Sequence, residues 1–279
     1  MSVWYALLDL LPFQWLSMNF MKNALLAVLL MAPLFGLLST MIVTGKMSFF
    51  SDALGHSGFT GIAIGVLCGS ALPMGWAVAL AVAIALLFSY VKSKTSHAAE
   101  TIISVFSSTA VALGIFIATM NGSSFTKFNK YLIGDVLSVT PAEIGLLLLV
   151  LVLVAALWLL ASNRLFLSSI HPQLASSRGI PVGGYETLFT VSIAVVVTLS
   201  MSWVGLMVVN SLLVLPAAAA RNIAKNLREY HLFSVLGALV CGVAGLITSY
   251  YLGSSTGAVI SLYLAVYFAV TFCLRGRRS

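Results

Sequence analysis

Residues 141–162 read PAEIGLLLLVLVLVAALWLLAS, a run in which one charge, Glu143, stands near the start and nothing ionisable follows. A hydrocarbon layer about 30 Å thick is crossed by roughly 20 helical residues, so this run is long enough to span it. Lipid offers no partners to backbone N–H and C=O groups, which leaves helices and closed barrels; barrel strands need only about 10 residues, so a run of this length favours a helix. Eight further apolar segments flank it, at 18–44, 47–70, 74–91, 99–120, 184–203, 205–221, 231–252 and 256–274. Of the 279 residues, 61% are hydrophobic and 8% charged, which excludes a soluble core built from short alternating segments. The pattern predicts an all-α, polytopic transmembrane helical bundle of about eight to nine spans. The segments at 184–203 and 205–221 are joined so closely that one of them can be a broken helix.

Three regions follow: an N-terminal interfacial segment, 1–17; a transmembrane domain, 18–274, with a cytoplasmic loop near 163–183; and a basic cytoplasmic tail, 275–279. The N-terminus, MSVWYALLDLLPFQW, has no basic head or small-residue cleavage site and carries Asp9, so no removable signal peptide is expected. Trp4, Tyr5 and Trp15 suit the headgroup level. The net charge of +7 sits in short connections between apolar runs, where it sets membrane orientation instead of binding nucleic acid. Nine spans with the C-terminus inside place Lys46, Lys92, Lys94, Arg164, Arg178, Arg221, Lys225, Arg228, Arg275, Arg277 and Arg278 in the cytoplasm. Only Lys22, Lys127 and Lys130 then lie outside. The lysine and arginine bias makes the C-terminus cytoplasmic and, for an odd number of spans, the N-terminus extracytoplasmic.

The loop 163–183, NRLFLSSIHPQLASSRGIPVG, has room for one or two short helices, with Pro172 at a first turn and Gly179 at a C-terminal cap. It reads either as an amphipathic surface loop or as a docking surface for a soluble partner. Gly58, Gly61 and Gly65, and again Gly242 and Gly245, are expected to let helices approach closely. Cys68, Cys241 and Cys273 stand singly in apolar surroundings and imply neither a disulfide framework nor a thiolate zinc site.

One segment departs from this apolar pattern, MSFFSDALGHSG at 47–58. Asp52 and His56 are four residues apart, so on a helix they share a face about one turn apart. Counted as continuous helix from Lys46, they lie roughly 9 and 15 Å into the membrane. An ionisable residue at such depth costs at least about 2.5–3.5 kcal/mol and normally faces a bundle interior or a water-filled path. Three readings fit: a ligand or pathway pair, an Asp/His pair that satisfies itself, and an Asp52 that caps a helix beginning at Ala53. Carboxylate with imidazole suits zinc, manganese or ferrous iron and poorly suits copper(I) or potassium. Zinc normally takes four ligands, and the pair supplies two; that deficit suits a site which must release its ion.

Several chemistries are missing. There is no HExxH, no GxSxG and no GxxxxGK[ST]; the nearest fragment to the last, VTGKMS at 43–48, lacks the preceding glycine and the hydroxyl residue. Transport driven by ATP therefore needs a separate motor subunit. A proton-coupled secondary transporter or an ion channel is the alternative from a different class, because an intramembrane Asp/His pair also serves as a proton relay.

The chain resembles the membrane permease subunits of the bacterial ABC importers for zinc and manganese. The resemblance is carried by GKMSFFSDALGHSGFTGIAIG at 45–65, GDVLSVTPAEI at 134–144, HPQLASSRGIP at 171–181 and WVGLMVVNSLLVLPAAAARNIA at 203–224. It implies a type II-like importer permease in the cytoplasmic (inner) membrane that is not itself an enzyme. It further implies two permease copies, cytoplasmic ATPase subunits and an extracytoplasmic metal-binding protein, with no permanently bound cofactor and the metal as cargo. Matched residue by residue, Asp52 and His56 are the metal pair, and His171, Pro172, Gln173, Leu174, Ala175, Ser176, Arg178 and Gly179 belong to the ATPase-coupling segment. Gly55 departs from the family, standing where many relatives have a serine that would orient His56. The GDVLSVTP segment looks more like the zinc branch, with manganese or iron as the alternative cargo, and Asp135 is a loose candidate for a further ligand on the outer side.

Overall fold

The computed structural model describes residues 4–5, 14–70, 72–95, 98–120 and 136–275. Among them are nine helices of at least 18 residues: α1 (Asn19–Thr44), α2 (Phe50–Leu67), α3 (Pro73–Lys94), α4 (Ala99–Thr119), α5 (Pro141–Ile170), α7 (Val182–Val204), α8 (Leu206–Ile223), α9 (Leu227–Leu252) and α10 (Thr256–Arg275). A six-residue helix, α6 (Pro172–Ser177), lies between α5 and α7. Eight of the nine are long and apolar enough to cross a membrane; α2, which carries Asp52 and His56, is the exception. The connection at 121–135, with Lys127, Lys130 and Asp135, falls outside the described residues, as do Asp9, His97, Arg277 and Arg278.

The chain forms two compact units. The first comprises Met1–Thr40, Ile133–Ala155 and Trp203–Ser279. Here α8, α9 and α10 pack on one another, and small residues set the spacing: a Cβ on Gly245 would lie 2.8 Å from the Ile260 Cα. Pro216 interrupts α8, and the adjacent Ala217 N–H donates to Ser39 Oγ of α1 at 3.0 Å, a side-chain repair typical of proline in apolar surroundings. The aromatic N-terminus folds onto α1: the Trp4 indole donates to the Lys22 carbonyl, the Tyr5 hydroxyl donates to Asn23 Oδ1, and Trp15 is buried in the protein.

The second unit comprises Met41–Leu132 and Ala156–Ser202. Helix α2 packs on α3 and α4, and 13 of its 18 residues are buried. The glycines make that contact possible, since a Cβ on Gly61 would sit 2.5 Å from the Ala77 Cα of α3 and one on Gly58 3.1 Å from Thr198 and Met201 of α7. The role expected for these glycines, close packing, is the one they have.

Two of the boundaries that differ from the sequence reading bear on the site. Helix α5 continues to Ile170 because Leu165 and Phe166 are buried, so the connection before α7 shrinks from 163–183 to 171–181. Helix α2 begins at Phe50, after a turn in which Lys46 takes φ 54°. Asp52 and His56 therefore lie about 3 and 9 Å from the helix start, shallower than a continuous helix from Lys46 gives. The junction at 204–206 is a true break: Gly205, at φ 87° and ψ 154°, separates α7 from α8 in a backbone region essentially restricted to glycine.

Candidate functional site

Asp52 is in the first turn of α2, where the helix dipole favours negative charge. It does not cap the helix; that position belongs to Phe49, which removes the capping explanation for its presence. His56 follows one turn later, with its Nε2 3.4 Å from Asp52 Oδ2. This is long for a hydrogen bond, so the pair is aligned without being locked together. The side chains of His56 and Asp52 stay 25% and 40% exposed, although most of the helix around them is buried.

Helix α4 supplies the neighbouring wall. Ser107 points its hydroxyl at Asp52 Oδ2 from 3.5 Å, and Thr101, Ser104 and Ser108 are exposed on the same helix. Thr60 fixes α2 against α4 by donating to the Ala110 carbonyl at 2.6 Å, and Gly114 makes room for Thr60 and Phe59. Ser107 was missed in the sequence, where it is one of several hydroxyl residues in 99–119 and nothing singles it out. Among the described residues no third His, Cys, Asp or Glu joins the pair to complete a metal cluster. The arrangement offers one carboxylate, one imidazole and nearby hydroxyls, a donor set that can hold a divalent ion briefly and let it go.

The segment 171–181 is also well defined. Pro172 starts α6 at its first position, and Gly179, at φ 72°, ends it. The Ile180 N–H donates to the Ala175 carbonyl and the Gly179 N–H to that of Ser176, the paired bonds of a glycine-terminated helix end. His171, Pro172, Gln173, Leu174, Ser176, Arg178 and Gly179 are exposed, whereas Ala175 is fully buried and anchors the turn.

Among the described residues, eight helices apolar and long enough to cross a membrane, with a ninth that carries an acid and an imidazole, define a multi-pass membrane protein. Residues 17–275 match the ABC 3 transport family, and the chain belongs to that family. It is 30% identical to the manganese import system permease protein ScaB of Streptococcus parasanguinis, over 91% of this chain and 90% of the relative. It is 24% identical to the high-affinity zinc uptake system membrane protein ZnuB of Haemophilus influenzae, over 91% and 97% respectively. The solved structure of PsaBC from Streptococcus pneumoniae in complex with Fab superposes with a TM-score of 0.79 at 25% identity, covering 98% of this chain and 95% of that one.

Proposed function

We propose that this chain is the permease subunit of an ATP-driven importer of a divalent transition metal, zinc in the first place, and that Asp52 and His56 contact the ion in transit. The observation that carries the reading is the partly exposed Asp52/His56 pair on a helix with 13 of its 18 residues buried. Desolvating such a pair is tolerated where it faces a water-filled path and selected against where it faces lipid. Asp52 contributes charge and oxygen, and His56 a neutral nitrogen. Relatives named for zinc and for manganese both support metal cargo, and the higher identity to ScaB favours manganese as the second reading. No cofactor is needed.

The partners follow from the same chemistry. The chain has no phosphate-binding loop, so cytoplasmic ATPase subunits drive it, and an extracytoplasmic metal-binding protein delivers the ion. The exposed hydroxyls of Thr101, Ser104 and Ser108 lie on α4, the helix whose Ser107 faces Asp52; a second copy of the permease covers them, completing the conduit as a homodimer. The C-terminus lies in the cytoplasm with α6, and the N-terminus outside. ATP-driven motion of the partners then exposes the pair alternately to each side.

Two measurements test this. In cells without their own zinc and manganese uptake, this chain with its cognate ATPase and binding protein should import radiolabelled zinc in preference to manganese, and the ATPase should copurify with it. Import that persists without nucleotide, or a permease that purifies alone, contradicts the importer and favours a secondary transporter or channel. Replacing the exposed Leu174 by aspartate should reduce ATPase copurification at least tenfold while the isolated permease folds normally; undiminished capture rules out docking at α6.

A further inference from the structure

Lys92 is in the last turn of α3, and Glu186 lies one turn into α7; their side chains form an ion pair, Nζ to Oε1, across 94 residues of sequence. One turn further along, Ser89 Oγ and Thr190 Oγ1 are 3.0 Å apart. The numbers rise on one helix as they fall on the other, so α3 and α7 run antiparallel along a polar seam with two matched links. Arg164 of α5 donates to the Tyr185 hydroxyl at 2.6 Å, closing the base of the turn that carries α6.

Packing alone does not hold the start of α7. A cavity of about 250 Å³, lined by Met41, Met47, Leu165, Ser169, Pro172 and Val182 together with the ion pair, occupies the space beside it. The polar seam spans that gap. Further along the helices the contacts tighten: Gly58 of α2 meets Thr198 and Met201 of α7, and Gly61 of α2 meets the backbone of α3 at Trp76 and Ala77. The α2 and α3 backbones cannot slide past each other without a collision, and the Thr198 and Met201 side chains of α7 seat against Gly58.

We propose that Lys92 and Glu186 are positioning residues for the transport step: they gang α3 and α7 to α2 as one rigid body, so that a displacement of the α6 turn reaches the Asp52/His56 helix. This rests on the importer reading above. The ion pair touches neither metal nor nucleotide and acts through the helices it joins. Removing one partner leaves the other charge half-buried and uncompensated, whereas exchanging the two restores the link.

The test uses the complete transporter reconstituted in vesicles, reading metal transported per ATP hydrolysed. Lys92→Glu and Glu186→Lys alone should each lower that ratio at least tenfold with the amount of complex unchanged, and the double exchange should recover it to within twofold. A ratio that stays at the wild-type value in the single variants, or a double exchange no better than either single one, overturns the proposal. A second arm places Ser89→Cys and Thr190→Cys in a background lacking the native cysteines. Transport should be equal within twofold before and after oxidation to the disulfide, because the seam stays closed through the cycle; a tenfold loss on oxidation overturns it. If the wild-type complex shows no ATP-dependent metal uptake, the importer reading fails and takes the proposal with it. If the wild type transports and the variants match it, only the role of the ion pair fails.

Discussion

Helix α2 has an aspartate, a histidine and four glycines in 18 residues, and 13 of those residues are buried. Helix α5 has 30 residues, far more apolar, and leaves Leu159 and Leu160 85% and 83% exposed. In water the apolar helix would be the hidden one. In lipid the hydrophobic drive between helices disappears, so leucine is free to stay outside and the interior goes to residues that pack closely or carry function. Apolarity in this chain therefore does not by itself mark the inside, and Asp52 and His56 occur on a helix with 13 of its 18 residues buried.

Substitutions at glycine break or sharpen that contrast. The largest effect is expected at Gly61→Leu in α2, where the first added carbon would already lie 2.5 Å from the Ala77 Cα. Overpacking normally costs about 1–3 kcal/mol, and against backbone the upper end or beyond is expected; the folded fraction recovered in detergent should collapse, and a melting temperature close to wild type would show that α2 is not tightly enclosed. Gly205→Ala should cost roughly 1–3 kcal/mol for a different reason, since the residue meets a backbone region that only glycine adopts easily. Its melting temperature should fall between the other two variants. The smallest effect belongs to Gly145→Ala in α5, where nothing lies within 4 Å of the new carbon. Relief of helix entropy should stabilise by about 0.5–1 kcal/mol, and a clear loss of stability there would mean that α5 is as closely packed as α2.

Much of this was legible in the chain itself. Apolar run length locates all nine long helices, and the i, i+4 spacing of Asp52 and His56 already places them on one face. Gly179 and Pro172 announced α6 through their backbone preferences. The end of α5 was misplaced because Asn163 and Arg164 look like a loop, yet Leu165 and Phe166 beyond them are buried and carry the helix on. Two starts were written in capping boxes that apolar counting overlooks. The Thr140 N–H and hydroxyl donate to Glu143 before α5, and Asn226 accepts from the Glu229 N–H before α9. The Lys92/Glu186 pair and the approach of Ser107 to Asp52 carried no signal, since partners 94 and 55 residues apart are brought together only by tertiary packing.

The central claim is that a carboxylate and an imidazole on α2 hold the metal in passage. Uptake of radiolabelled zinc by the complete transporter carrying Asp52→Ala together with His56→Ala, at wild-type levels of assembled complex, tests it most directly. Uptake should fall to the level of cells without the transporter, while the complex remains intact. Uptake that continues at the wild-type rate would contradict the account.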